Sequence, residues 1–337
     1  MIARKISVPT VAVIGGGSWA TALVKILSEN DLKVKWWMRN KEAVSHIKNY
    51  GHNPHYLSDV HINTRKVKVD SSIIKTMEGV ETVILAVPAA FVKEALEPLN
   101  KEHFKGVQVV SAVKGMIPGE NLLISEFIEK KYFVHETDLL AIGGPCHSEE
   151  VALEKQSFLT IACKDYTNGL AFSQFLNCRF VKTHCLTDIY GMEYASILKN
   201  IYSIACGISH GLNFGDNFQA VLVSNAMQEM KRFLDAKCPQ SNRDLNDSAY
   251  LGDLLVTCYS QFSRNRTFGG MIGRGYSVKS AQLEMRMVAE GFYAVKCVHE
   301  VNKKLEIDMP ICKAVYNILY EKISPSVEIQ ILKSVLR

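Results

Sequence analysis

Three successive glycines, Gly15, Gly16 and Gly17, separate the apolar run TVAVI from the helical pattern TALVKILSEN, and that junction leaves few folds open to this chain. A run of β-branched residues, a glycine turn and then an amphipathic helix is the opening of a β-α-β unit. DLKVKWWMR, ETVILAVP, VQVVSAVKG and LLAIGGP continue the pattern, each with an apolar centre that ends in glycine, proline or a polar residue. The expected fold of this half is α/β, a mostly parallel doubly wound sheet, with SFLTIAC and RFVKTHC as two closing strands. Ligands bind beyond the carboxyl ends of the strands in such sheets, so Gly15, Arg39, Pro88, Lys114 and Gly144 are expected to line one crevice.

From about Tyr190 the pattern changes to long helical segments, which predicts an all-α second part and a division into 1–189 and 190–337. Ile197, Ile201, Ile204 and Ile208 recur at helical intervals and form an apolar stripe. Lys199 points away from that stripe, among mostly small neighbours (Ala195, Ser196, Tyr202, Ser203, Cys206), so a ligand can approach it closely. From spacing alone it reads as a surface lysine on a helix. Ser277 is expected to cap one helix running through MRMVAEGFYAVKCVHEV, and Pro310 suits the first turn of another.

At 337 residues, 47% hydrophobic and 22% charged, the chain has the composition of a folded protein with room for two domains. The net charge of +5 is spread along the sequence, which speaks against nucleic acid or a membrane surface as partner and suits a small anionic substrate. No run approaches the ~20 apolar residues of a membrane span, and the first residues have no secretory signal pattern. The nine cysteines include no C-x-x-C and sit among apolar neighbours, as expected for a reducing cytoplasm. His46, His52, His55 and His61 are clustered without a second group at metal spacing, so no metal is expected.

Gly15, Gly17 and Ala20 match a G-x-G-x-x-A dinucleotide motif in its proper place between strand and helix. Gly15 permits the tight turn, Gly17 admits the pyrophosphate, Ala20 allows close helix packing, and the helix N-terminus offers unpaired N–H groups. Cofactor binding is favoured over the alternative, a glycine turn without ligand. The second strand ends in Arg39 and Asn40 where an NAD-selective site places an acid, which points to NADP or to dual use. Lys114 lies just past a strand end, where a cation offsets a phosphorylated substrate or a developing alkoxide. Gly143, Gly144, Pro145, Cys146 and His147 form a tight turn where substrate or nicotinamide can lie. GDLLVTCYSQFSRNRTFG, 252–269, gathers Asp253, Ser263, Arg264 and Asn265, a set suited to a phosphate: a planar arginine fork, neutral donors and an acid to orient a hydroxyl or a lysine. A solvated basic loop has the same composition.

In this order GGGSWATA, AVP, SAVKG, GGPCHSEEV, ILKNIYSIACGI, GDLLVTCYSQFSRNRTFG and MVAEG resemble the bacterial type of the NAD(P)-dependent glycerol-3-phosphate dehydrogenase family over nearly the whole chain. The resemblance implies a Rossmann domain followed by a helical one, a homodimer, NAD or NADP as cofactor, and interconversion of dihydroxyacetone phosphate and sn-glycerol 3-phosphate for phospholipid synthesis. It implies Lys199 as proton donor and acceptor, assisted by Lys114 and Asp253. The implied substrate contacts are Lys114, Gly144, Cys146, Asn200, Asp253, Thr257, Ser263, Arg264 and Asn265. The implied dinucleotide contacts are Ser18, Trp19, Arg39, Lys114, Ser148, Arg264, Val288 and Glu290, with Gly15 and Gly17 from the glycine motif. Cys146 departs from the family's usual Ser or Thr, and a thiol is a weak donor. His147 and Ser148 depart from the usual Phe or His and Ala. Two other readings stand beside this one: a dehydrogenase of the 6-phosphogluconate or 3-hydroxyisobutyrate type, and a dinucleotide sensor without chemistry.

Overall fold

The computed structural model describes residues 8–285 and 289–337. β1 (Thr10–Ile14), α1 (Ser18–Glu29), β2 (Lys33–Trp37), α2 (Lys41–Tyr50), β3 (Val67–Asp70), α3 (Ile73–Met77), β4 (Thr82–Leu85), α4 (Val92–Leu96) and β5 (Gln108–Ser111) open the chain. α5 (Ile124–Tyr132), β6 (Leu139–Gly143), α6 (Ser148–Ala152), β7 (Ser157–Cys163), α7 (Tyr166–Leu176) and β8 (Val181–Leu186) complete one sheet in the order β3-β2-β1-β4-β5-β6-β7-β8. Every neighbouring pair is parallel except β6 and β7. The expected α/β sheet, mostly parallel and doubly wound, is therefore the one formed. Alternation along β1 explains the double winding: Ala12 and Ile14 join the core on one face, Val11 and Val13 that on the other. β3, of sequence VKVD, is an addition to the expected strands. It is a four-residue edge strand with an exposed lysine, too short to leave a pattern.

After β8 come only helices among the described residues: α8 (Ile189–Gly211), α9 (Asp216–Lys237), α10 (Asp253–Tyr259), α11 (Arg264–Gly273), α12 (Val278–Glu284), α13 (Glu290–Leu305), α14 (Pro310–Leu319) and α15 (Pro325–Val335). Pro310 opens α14 as expected. Ser277 does cap a helix, its hydroxyl accepting from Ser280 N–H at 3.0 Å, but that helix ends at Glu284 and a separate one begins at Glu290. The expected single helix is thus two, and the second packs closely on α8, with Gly291 against the Asn200 carbonyl.

α8 is buried on nearly every side rather than along one stripe. Its start is locked by Asp188, which caps Gly191 N–H at 3.1 Å and accepts from Arg243 Nε at 2.6 Å and Tyr250 OH at 2.7 Å. Its second half lies backbone to backbone on α11. A methyl group added at Gly207 stands 2.1 Å from the Arg266 carbonyl oxygen, and one at Gly269 stands 2.1 Å from that of Ile204. Only glycine allows this approach, and it fixes Lys199 relative to Arg264.

Candidate active site

The glycine turn is braced from two sides. Gly15 N–H donates to the Trp37 carbonyl at 3.1 Å, and the Trp36 indole donates to the Gly15 carbonyl at 2.6 Å. Asn53, fully buried, donates to the Gly16 carbonyl at 3.1 Å and to the Thr21 hydroxyl at 2.9 Å. Gly15 has φ +143°, and a Cβ there stands 2.5 Å from the Ala86 carbonyl oxygen, so a side chain is excluded. Around Gly17 the space is open, and α1 starts there with no side-chain cap. Its first N–H groups are thus free for an anion, and the Trp19 indole N–H beside them is buried without a partner. These residues fit the pyrophosphate of a dinucleotide.

Beside the turn a pocket of about 200 Å³ opens at the carboxyl ends of β4, β5 and β6, closed on the far side by α8, α10 and α11. Lys199 of α8 and Asp253 of α10 meet in it as an ion pair, 4% and 2% exposed. Lys114, past β5, reaches the second oxygen of Asp253 at 4.0 Å, and its ammonium stands 5.8 Å from the centre of a Trp19 ring. Asn200 fixes this strand end by donating to the Lys114 carbonyl at 3.1 Å. No other donor reaches the Asp253 oxygens among the described residues.

Two ammonium groups on one carboxylate cannot both keep ordinary properties. Burial pushes the Lys199 amine down to about 7; Asp253 opposes the shift and Lys114 adds to it. For Lys114 burial also pulls downward, but Asp253 and weaker contributions lift it above the usual lysine value. Lys114 is also the more exposed of the two, at 20% against 4%. The pair therefore divides into a fixed cation, Lys114, and a group that titrates near neutrality, Lys199.

α11 presents its N-terminus to the same pocket. Ser263 caps it, accepting from Arg266 N–H at 3.3 Å, and exchanges a 2.8 Å hydrogen bond with Ser203. Asn265 accepts from Gly291 N–H at 3.0 Å, which ties the start of α13 to the site. Arg264 donates to the Ser18 hydroxyl and has Glu149 at 4.0 Å. The Thr257 hydroxyl donates to the Asp253 carbonyl at 2.6 Å. Cys146, His147, Ser148 and Glu290 complete the lining. Burial pushes the Cys146 thiol up to about 12, so it stays neutral, and burial with Lys114 and Lys199 holds the His147 imidazole below its usual value.

Of the expected crevice residues, Pro88 and Lys114 line the pocket, whereas Gly15, Arg39 and Gly144 do not. Gly15 is walled off by Ala86 and acts through the turn. Arg39 is exposed and paired with Glu94 at 3.0 Å. Gly144, at φ +95°, backs onto Phe158 and Thr160 where the chain leaves β6. Val288 lies outside the described residues. Lys199, which spacing alone makes a surface residue, is 3% exposed, because α10, α11 and α13 cover the side that a lone helix leaves open. Its small neighbours Ser203 and Cys206 are covered as well, Ser203 bonding the Thr257 carbonyl at 2.8 Å. Glu149, Val256 and Phe262 line the pocket within the quoted motifs although not singled out as site residues, and Asn53, which braces the turn, lies among the clustered histidines. Among the described residues no group of three or more His, Cys, Asp or Glu could hold a metal ion, and no helix is long and apolar enough to cross a membrane.

Residues 10–169 match the family described as NAD-dependent glycerol-3-phosphate dehydrogenase N-terminus, and residues 188–330 the corresponding C-terminus. The chain is 36% identical over 313 residues to a glycerol-3-phosphate dehydrogenase [NAD(P)+] of Listeria monocytogenes, covering 92% of each chain. It is 33% identical over 315 residues to the protein of that name from Oceanobacillus iheyensis, covering 94% of this chain and 91% of the other. Its backbone superposes on the crystal structure of glycerol-3-phosphate dehydrogenase from Coxiella burnetii with TM-score 0.90 at 28% identity, covering 96% of this chain and 98% of that one.

Proposed function

As the chain belongs to the NAD-dependent glycerol-3-phosphate dehydrogenase family, we propose that it interconverts dihydroxyacetone phosphate and sn-glycerol 3-phosphate with NAD(H) or NADP(H). The observation that carries this reading is the buried Lys199–Asp253 pair beside the glycine turn, with Lys114 on the same carboxylate. A buried amine titrating near 7 suits proton exchange with an alcohol or a carbonyl oxygen at neutral pH.

A bound nicotinamide dinucleotide would supply the hydride for C2 of dihydroxyacetone phosphate and, in reverse, the acceptor for the hydride of glycerol 3-phosphate. Lys199, protonated, hydrogen-bonds the C2 oxygen and delivers its proton there; neutral, it accepts the proton from the alcohol. Asp253 orients the Lys199 amine, and the fixed charge of Lys114 offsets negative charge on the C2 oxygen. The phosphate is assigned to the N-terminus of α11, whose Arg264 and Asn265 line the pocket. Cys146, Asn200, Thr257 and Ser263, which line the pocket, are assigned to the substrate, and Ser18, Trp19, Ser148 and Glu290 to the dinucleotide. The proposed division is a dinucleotide-binding part, 1–189, and a substrate part, 190–337; the change from strands to helices after β8 supports it.

The product supplies phospholipid synthesis, the protein is cytoplasmic, and two copies form a homodimer. The nine cysteines, all unpaired, support a reducing compartment, while the dimer and the metabolic role rest on the family. Following NADH and NADPH oxidation by absorbance with dihydroxyacetone phosphate, against unphosphorylated dihydroxyacetone, tests the reaction. Phosphate-dependent oxidation is expected; cofactor binding with no turnover on either cofactor refutes it in favour of a sensor.

A further inference from the structure

Arg39 and Glu94 pair beyond the carboxyl ends of the two strands that flank β1. Arg39 follows β2 by two residues, and Met38 before it packs under the turn, its Cε 2.9 Å from the position of a Gly16 Cβ. Glu94 lies on α4, which follows β4, the strand whose end walls off Gly15. The two strands that flank β1 thus deliver one opposite charge each, joined Nη1 to Oε1 at 3.0 Å. The guanidinium also stands 6.0 Å from the centre of the Phe91 ring, while 73% of the Arg39 side chain and 58% of that of Glu94 remain exposed.

In a doubly wound sheet the end of the second strand faces the 2′ position of the adenosine ribose, where an acid accepts from a 2′-hydroxyl and an arginine accommodates a 2′-phosphate. This chain has one of each there, and they hold one another. Asn40, the neighbouring polar residue, is engaged elsewhere: its side chain caps α2, accepting from Ala43 N–H at 2.9 Å. Resting on the dinucleotide reading above, we infer that Glu94 is a specificity-determining residue that sets the choice between NAD and NADP through Arg39.

A 2′-phosphate must draw Arg39 away from Glu94 or share it, and it then lies close to a second negative charge. Glu94 offsets the positive charge that Arg39 presents, so a 2′-phosphate meets a partly neutralised guanidinium. A 2′-hydroxyl meets no such conflict. Glu94 therefore subtracts from the advantage that Arg39 gives NADPH, and the protein retains use of both cofactors.

The test is direct binding without substrate: dissociation constants of NADH and NADPH by cofactor fluorescence for the wild type, Glu94→Gln, Arg39→Ala and the double variant. Adenosine 2′,5′-bisphosphate and 5′-AMP serve as competitors to isolate the phosphate. Glu94→Gln is expected to tighten NADPH and the bisphosphate about five- to tenfold and to change NADH and AMP less than twofold. Arg39→Ala is expected to weaken NADPH selectively and to shrink the gain from Glu94→Gln. An unchanged NADPH-to-NADH ratio in Glu94→Gln, or weaker NADH binding, overturns the assignment. Failure of dihydroxyacetone phosphate turnover alone leaves this result standing and strikes only the proposed reaction; absence of any dinucleotide binding by the wild type overturns both.

Discussion

Lys199 and Asp253 face each other inside the protein, 4% and 2% exposed, and the second oxygen of that carboxylate is shared with Lys114 at 4.0 Å. One carboxylate between two ammonium groups leaves an excess positive charge in a poorly hydrated pocket. The more buried amine relieves it by giving up its proton near neutrality. The arrangement thus produces a proton carrier and a permanent cation from two residues of the same type, and each has its own experimental signature.

The first signature is a pH profile. Lys199 titrates at about 7 in the free protein, so its acid form dominates below that pH and its base form above it. Reduction needs the acid: kcat/KM for dihydroxyacetone phosphate is expected to be level below about pH 7 and to fall about tenfold per unit above it. Oxidation of glycerol 3-phosphate needs the base and is expected to rise through the same pH to a plateau. Profiles bending together, in either direction, contradict the assignment of Lys199.

Removing the carrier tests it more bluntly. General acid–base catalysis is worth roughly 10²–10⁴-fold, so Lys199→Ala is expected to lower kcat by at least about 10² while the dissociation constant of NADH stays within about twofold. Steady-state turnover beside a fluorescence titration separates the two effects. Turnover close to that of the unaltered protein removes Lys199 from the mechanism.

Arg264 is expected to respond to the phosphate rather than to the carbonyl. Hydrogen bonds to charged groups are worth about 1.5–3 kcal/mol, so Arg264→Ala is expected to lower kcat/KM for dihydroxyacetone phosphate by at least about tenfold. Unphosphorylated dihydroxyacetone, which presents no anion to α11, is expected to be nearly unaffected. Arg264 also donates to Ser18 on the dinucleotide side, so a modest rise in the KM of the cofactor accompanies the change. Equal losses for both ketones are incompatible with a phosphate contact.

The sheet was legible because its strands are buried on both faces and end in glycine, proline or polar residues, as in TVAVIGGG and VQVVSAVKG; β3 was not, since four residues of alternating valine and lysine or aspartate carry no distinctive signal. The site divided in the same way. Lys114 was placed by its strand end, whereas the burial of Lys199 depends on α10, α11 and α13 packing around one helix, a tertiary fact that helical spacing does not contain. Gly207 and Gly269 were legible as motif letters, yet their reason is the contact of two helix backbones, each added methyl falling 2.1 Å from a carbonyl oxygen on the other helix. The division between α12, which ends at Glu284, and α13, which starts at Glu290, leaves no mark in the apolar spacing, which continues through both.

The position of Lys199 also depends on the far end of its helix, where Asp188 is surrounded by donors. It caps Gly191 N–H, accepts from Arg243 Nε at 2.6 Å and Nη2 at 3.1 Å, and receives the Tyr250 hydroxyl at 2.7 Å. Both charged side chains are nearly enclosed, 3% exposed for Arg243 and 8% for Asp188. Asp188→Ala leaves the Arg243 cation with only Asp235, 4.0 Å away, and Cys238, so a loss of up to about 3–5 kcal/mol and a lower denaturation midpoint are expected. If the poorly compensated cation is the cause, Arg243→Met in the Asp188→Ala background restores part of the lost stability, although it removes another side-chain contact. If the helix cap alone matters, the second substitution restores nothing and the loss stays near the ~1 kcal/mol of an N-cap. Denaturant midpoints of the two single variants and the double variant distinguish these cases.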